Sequence, residues 1–420
     1  MVRVMPPPPR RPDRPKVEKP DKRDEAGPPS RPILLYVHFP FCRSKCIHCG
    51  FHSQAYNQVT LAWYLKLLLE EIRLWGERLK RPRVRTLYFG GGTPSLLTPG
   101  QLRQVLDALR THFRLEPGLE TTLEVNPDSG LDISWYRALL TMGVNRLSIG
   151  LQSLNDEHLA FLGRPHNARQ GMEAFALARR AGFANLSLDL IWGLPGQRVK
   201  AWLKQLEQVV DMGPEHVSCY GLTIEPGTPL EQMMAQGQVN LPHEQEQAKM
   251  FVYGADHLES VGLLQYEISN FARMGFASQH NLGYWDGADY LGLGPSAVST
   301  LGNRRFANPK FMDEHDAAVR AGYVGEEYEL LDPATRLREM VMLQLRTTRG
   351  LDLKRHAELA GFRITDKFPD LLKALRANDL IRINRGRLSL TKPGMAVSNV
   401  IIERLALADQ DGVASGPLPG

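Results

Sequence analysis

"ILLYVHFPFCRSKCIHCGFHS", residues 33–53, decides how the rest of the chain is read. Its first part, "ILLYVH" (33–38), is a short apolar run without helical spacing, stopped by Pro40, and reads as a buried strand. Cys42, Cys46 and Cys49 follow at once, three of the four cysteines in the chain. A strand that runs straight into clustered thiols places chemistry where α/β proteins usually hold it, outside the carboxyl end of a strand.

The same unit recurs along the chain. Further strands are expected at "VRTLYF" (84–89), "TTLEV" (121–125), "NRLSIG" (145–150), "NLSLDL" (185–190) and "HVSCYG" (216–221). Stretches of helical period separate them, among them residues 60–79, 98–113 and 168–183. Alternating strand and helix gives a parallel sheet covered on both faces, either doubly wound or a barrel, complete or partial. The strand ends discriminate: the first meets the cysteines, the second "GGGTP" (90–94), the third carries Glu124 then Asn126, and the later ones end near Gln152, Asp189 and Tyr220. Six polar ends aimed at one mouth favour a barrel.

Length and composition agree. A chain of 420 residues, 43% hydrophobic, exceeds the roughly 250–300 at which one core stops growing, so a large domain and a smaller one are expected. Residues 1–32 hold nine Lys/Arg, five Asp/Glu and ten of the 29 prolines, so most of the +5 net charge sits in a tail expected to be disordered. Three crowded cysteines and one lone Cys219 do not make a disulfide framework. No apolar run approaches the ~18 residues of a membrane span, and no apolar core follows the basic start, so a cytoplasmic protein is expected.

From about residue 330 the texture changes to helix, helix and a two-strand hairpin, the order of a winged helix. Residues 351–404 carry eleven Lys/Arg against six Asp/Glu, a mild excess that reads as a solvated face, and no specific nucleic-acid partner is expected. The expected boundaries are a tail at 1–32, a barrel domain at 33–325, a helical, winged-helix-like domain at 326–404 and a second tail at 405–420.

Two chemistries compete for the thiols. Cys42, Cys46, Cys49 and His52 make a Cys3His set for zinc. The C-x3-C-x2-C spacing on one loop instead suits three corners of a [4Fe–4S] cube, whose fourth iron then lacks a protein ligand.

That spacing resembles the signature of the radical S-adenosylmethionine superfamily. "LYFGGGTPSLL", "LEVNPDS", "RLSIGLQSLNDEHLAFLGRPH", "LDLIWGLPGQ" and "HNLGYWDGADYLGLGPSAVS" are similar to the oxygen-independent coproporphyrinogen oxidase-like family and, within it, the HemW heme chaperones. The resemblance runs from about residue 33 to 404. It implies a partial (β/α)6 TIM-type radical-SAM barrel, an α/β fold, with Cys42, Cys46 and Cys49 on the cluster. It also implies Tyr36, Gly92, Thr93, Pro94, Glu124, Gln152, Arg164 and Asp189 around S-adenosylmethionine. His48 stands where the family has an aromatic residue lying against the adenine.

Within the family, the catalytic coproporphyrinogen III dehydrogenases carry a further cysteine where this chain has Phe51. They lack the H-N-x-x-Y-W motif that is present here as His280, Asn281, Tyr284 and Trp285. The resemblance therefore implies a heme chaperone on an enzyme scaffold, with heme ligated at His280. Its implied partners are heme and heme-accepting proteins, those of the respiratory chain among them, with transient membrane association through such partners. The rival readings are oxidative decarboxylation of coproporphyrinogen III and radical opening of the heme ring. Both require turnover.

Overall fold

The computed structural model describes residues 31–406 together with residue 29; both expected tails otherwise lie outside the described residues. The six anticipated strands form as β1 (Ile33–Phe39), β2 (Arg83–Gly91), β3 (Arg114–Val125), β4 (Arg146–Gln152), β5 (Leu186–Trp192) and β6 (His216–Gly221). They lie parallel, in that spatial order. Connecting helices are α1 (Gln58–Arg78), α2 (Pro99–His112), α3 (Ile133–Thr141), α4 (Ala168–Ala181) and α5 (Val199–Asp211). Their starts follow local chemistry: Asn57 accepts from two free N–H groups of α1, while Thr98 with Gln101 and Asn167 with Gln170 form capping boxes on α2 and α4.

Alternation along the strands sorts the side chains. Ile33, Leu35, Val37 and Phe39 of β1, with Leu147, Ile149 and Leu151 of β4 and Leu186, Leu188 and Leu190 of β5, join the helices in one large core. The opposite parity, including Tyr36, Tyr88, Glu124, Arg146, Ser148, Asp189 and Ser218, faces the inner surface. The six strands curl: Leu230, beyond β6, donates its N–H to the Ile47 carbonyl on the cysteine loop after β1 at 3.0 Å. In a flat sheet, β1 and β6 would stand about 24 Å apart.

The parallel strands belong to a single open sheet of twelve. After helix α6 (Glu244–Ser260), the short strands β7 (Leu264–Gln265) and β8 (Asn270–Ala272) extend it antiparallel beyond β6. Helix α7 (Gln279–Trp285) follows, then β9 (Tyr290–Leu293), parallel to β1 on its other side. β10 (Val298–Leu301), β11 (Arg304–Ala307) and β12 (Glu329–Leu330) complete that wing antiparallel. Sequence reading did not find these wings.

A second core, including Val341, Leu345, Leu375, Leu388 and Ile401, holds the C-terminal region. A three-stranded sheet there, β13 (Leu351–Asp352), β14 (Ile381–Asn384) and β15 (Arg387–Leu390), packs with helices in the anticipated winged order. It grips the barrel side through Lys392, 2.6 Å from both Asp256 and Glu259 on α6, and through an Arg349–Asp286 ion pair beside α7.

Candidate functional site

The cysteine loop is held by its backbone before any cofactor is considered. Gln54 donates its N–H to Pro40 O at 2.8 Å and Tyr56 to Cys42 O at 2.9 Å, so a two-residue parallel bridge closes the loop at its base. Arg43 reaches the Asp128 carbonyl at 2.6 Å, and Ile47 N–H the Leu162 carbonyl at 3.3 Å, tying the loop to the turn after β3 and to the short helix Asp156–Phe161 that follows β4. Cys42, Cys46 and Cys49 are free thiols, all partly exposed. Burial is the main effect on Cys49 and raises its pKa; the nearby Cys46 and Cys42 push in the same direction. Cys219 instead faces the outer core, where burial raises its pKa, and lies away from the loop.

"GGGTP" packs directly beneath the loop. Gly92 donates its N–H to Phe39 O at 2.6 Å, and a Cβ at Gly92 would lie 2.5 Å from Phe41 O, so only glycine allows this approach. Gly91 has a φ of 104° and donates to Glu124 Oε2 at 3.1 Å. Tyr88 donates to the other Glu124 oxygen at 2.8 Å. Burial, then the charge of Asp189, raises the Glu124 pKa to about 7. Thr93 is buried and accepts from Asn126 Nδ2 at 3.1 Å, while Pro94 opens a short 3-10 turn.

Arg164 links the thiols to the strands. It donates to Cys46 Sγ at 3.2 Å, Asn126 Oδ1 at 2.9 Å and Gly150 O at 3.4 Å. Gln152 sits beside it at a break in the β4–β5 register, with a φ of 62°, a left-handed conformation that a non-glycine residue keeps only where the surroundings impose it. Asp189 accepts from Ser148 and Ser187, and burial raises its pKa. Tyr36 bonds His38 Nδ1 at 3.1 Å. The expected S-adenosylmethionine residues therefore gather at the carboxyl ends and inner faces of adjacent strands.

The donor set fits the implied cofactors. Arg164 Nε and His48 Nδ1 are buried without a protein partner beside the thiols, so polar capacity there is left for a ligand. The zinc alternative fits less well. Its fourth ligand is engaged elsewhere, since the His52 ring packs edge-on against Phe311, with centroids 5.9 Å apart.

The H-N-x-x-Y-W residues lie elsewhere. Helix α7 closes the floor of the barrel, at the amino ends of the strands. Glu120 of β3 accepts from the N–H groups of Gln279 and His280 at 3.0 and 3.1 Å, and Gly283 lies against Leu34. His280 is 1% exposed, with Nδ1 2.8 Å from Thr86 Oγ1 and Nε2 3.1 Å from the Tyr284 hydroxyl. Asn281 bonds the Tyr266 side chain. Tyr284 meets Tyr290 edge-on, and Trp285 ends the helix, partly buried. In this conformation both imidazole nitrogens of the expected heme ligand are taken by the protein.

Sequence reading missed Tyr88 and the inward serines, and above all Arg146. That guanidinium is 2% exposed, its Nε has no partner, and no carboxylate pairs with it among the described residues. The available signal was period-two alternation through "RLSIGLQ", which puts Arg146 on the same face as Ser148, Gly150 and Gln152.

A curled parallel sheet with three thiols on the first strand's loop and a glycine turn beneath them defines the class. The radical SAM superfamily matches residues 36–209, which implies a [4Fe–4S] cluster and S-adenosylmethionine, and the HemN C-terminal domain matches residues 331–397. The chain is 33% identical to Heme chaperone HemW of Bacillus subtilis over 368 residues, 87% of this chain and 97% of that protein. It is 41% identical to the mitochondrial Radical S-adenosyl methionine domain-containing protein 1 of Bos taurus over 284 residues, 65% of this chain and 63% of that one. The solved structure of coproporphyrinogen III oxidase (HemN) from Escherichia coli superposes with a TM-score of 0.75 at 25% identity, covering 90% of this chain and 89% of that one. The chain belongs to the HemW family of heme chaperones within the radical SAM superfamily.

Proposed function

We propose that this protein binds heme and passes it to acceptor proteins, on a scaffold that holds a [4Fe–4S] cluster through Cys42, Cys46 and Cys49 with S-adenosylmethionine beside it. The observation that carries the reading is Phe51. The residues that the resemblance implies around S-adenosylmethionine lie at the mouth, yet the position of the dehydrogenases' further cysteine is an aromatic side chain, 66% exposed.

The residues divide the work by charge. Glu124 takes the ammonium group, Arg164 the carboxylate, and Asp189, steadied by serines, the ribose hydroxyls. Gly92 to Pro94 let the backbone approach, His48 lies against the adenine, and Tyr36 and Gln152 bound the chamber. When bound, the cluster supplies an iron with a vacant position that chelates amino and carboxylate groups. Acceptors include heme proteins of the respiratory chain, reached from the cytoplasm, with membrane association through them. No helix among the described residues is long and apolar enough to cross a membrane.

The test is anaerobic reconstitution with iron and sulfide, then heme titration, then incubation with reductant and coproporphyrinogen III. Heme binding without protoporphyrinogen formation is expected. The likeness to coproporphyrinogen III oxidase favours a second reading, radical decarboxylation, and product formed above background would establish it.

A further inference from the structure

At the rim of the mouth the half-buried imidazole of His52 meets the ring of exposed Phe311 and follows exposed Phe51 in the sequence. Phe51 is 66% exposed and Phe311 50% exposed. The His52 ring stands between the cysteine loop and Phe311, nearly perpendicular to that ring at 88°. The backbone of His52 is fixed, its carbonyl lying 3.2 Å from His38 Nε2 on the barrel wall. Among the described residues, no hydrogen bond takes up either ring nitrogen of His52.

Lys45, on the cysteine loop, and Lys310, next to Phe311, are both exposed and close enough for their charges to bear on His52. Burial first, then Lys310 and Lys45, lowers the His52 pKa and so favours the neutral imidazole, the form that binds iron. The cluster of side chains thus combines one available imidazole, two flat apolar faces and two cations. That matches a planar, apolar iron macrocycle bearing two carboxylates.

We propose that heme docks on this rim, with His52 as axial ligand, Phe51 and Phe311 against the porphyrin, and Lys45 and Lys310 pairing with the propionates. This rests on the heme-binding reading above and relocates the heme from the floor to the mouth. His280 is enclosed, and its two ring nitrogens already bond Thr86 and Tyr284. Iron could reach it only after α7 left the floor.

The experiment is titration of the cluster-loaded full chain with iron(III) protoporphyrin IX, followed by the Soret band, and in parallel with iron-free protoporphyrin IX. His52→Ala should shift the Soret band and weaken heme binding at least tenfold while leaving the iron-free porphyrin unaffected. The double variant Lys45→Glu with Lys310→Glu should weaken both ligands at least tenfold. His280→Ala should stay within about twofold of the parent for heme. If His52→Ala also loses the cluster, Lys310→Glu alone decides, and unchanged affinity overturns the rim site. Wild-type Soret and affinity in His52→Ala with loss in His280→Ala moves the heme to the floor and leaves the chaperone reading standing. No heme binding by the parent protein defeats that reading itself.

Discussion

Replacing Arg164 by Met should loosen the metal centre before it loosens the fold. The side chain makes three contacts, to Cys46 Sγ at 3.2 Å, Asn126 Oδ1 at 2.9 Å and Gly150 O at 3.4 Å. A hydrogen bond to a charged partner is worth about 1.5–3 kcal/mol, and the Cys46 contact becomes one once the thiol is a thiolate. Asn126 is partly exposed, so water can replace its share. Folding stability should therefore fall by only about 1–2 kcal/mol. The thiolate contact is different, because it acts only while the cluster is held. A loss of about 2 kcal/mol there corresponds to roughly a thirty-fold faster release, at 1.4 kcal/mol per factor of ten. The assay is anaerobic bleaching of the cluster's visible absorbance by a chelator, with urea unfolding of the cluster-free protein alongside. Arg164→Lys should fall between the two, since one ammonium cannot serve sulfur and amide together as a planar fork does. Bleaching of Arg164→Met within about three-fold of the parent would refute the reasoning.

Further outcomes follow from the same geometry. Glu124, with its pKa raised to about 7, must be ionised to receive an ammonium group, so S-adenosylmethionine affinity should fall as pH drops below about 7; calorimetry on Glu124→Gln should show weaker binding without that slope. In the ligand-free protein the sign is opposite: the folded form retains a proton the unfolded chain gives up, so this stabilisation is complete below about pH 4.5 and is lost as pH rises through about 7, which Tyr88→Phe should extend upward. Gly92→Ala drives a Cβ to within 2.5 Å of Phe41 O, and reconstituted iron and S-adenosylmethionine binding should both collapse. His280→Ala leaves Thr86 unpaired in a buried floor and should cost about 2–4 kcal/mol in urea unfolding. Cys219→Ser should leave iron content unchanged, whereas Ser at Cys42, Cys46 or Cys49 should abolish it.

What could be read in advance was what depends on local pattern. Short apolar runs such as "ILLYVH" and "NLSLDL" are strands because both faces are covered, and the polar residues at their ends lie where parallel sheets expose chemistry. The wings were illegible because they are made of strands of two to four residues, too short to show a period, whose partners are remote: Tyr290 pairs with Leu34. The surroundings of His280 were illegible for a related reason. Its aromatic neighbours Tyr284 and Trp285 are equally suited to a porphyrin face and to a packed floor, and only the contacts to Thr86 and Glu120, far off in sequence, distinguish these environments. Arg146 escaped because a lone cation in a strand usually points to solvent, and the alternation within "RLSIGLQ" groups it with Ser148 and Gln152 without showing which face turns inward.

The small bridge between Phe41–Cys42 and Gln54–Ala55 has a bearing on how the protein matures. By joining the two ends of the cysteine loop, it settles most of the entropy of loop closure when the chain folds. The three thiols are thereby held on a standing frame, unlike a zinc finger, whose ligands gather only when the ion arrives. Assembly can then run in two separate stages, with a folded apoprotein waiting for iron and sulfide. A protein that has lost its cluster to oxygen remains a substrate for repair.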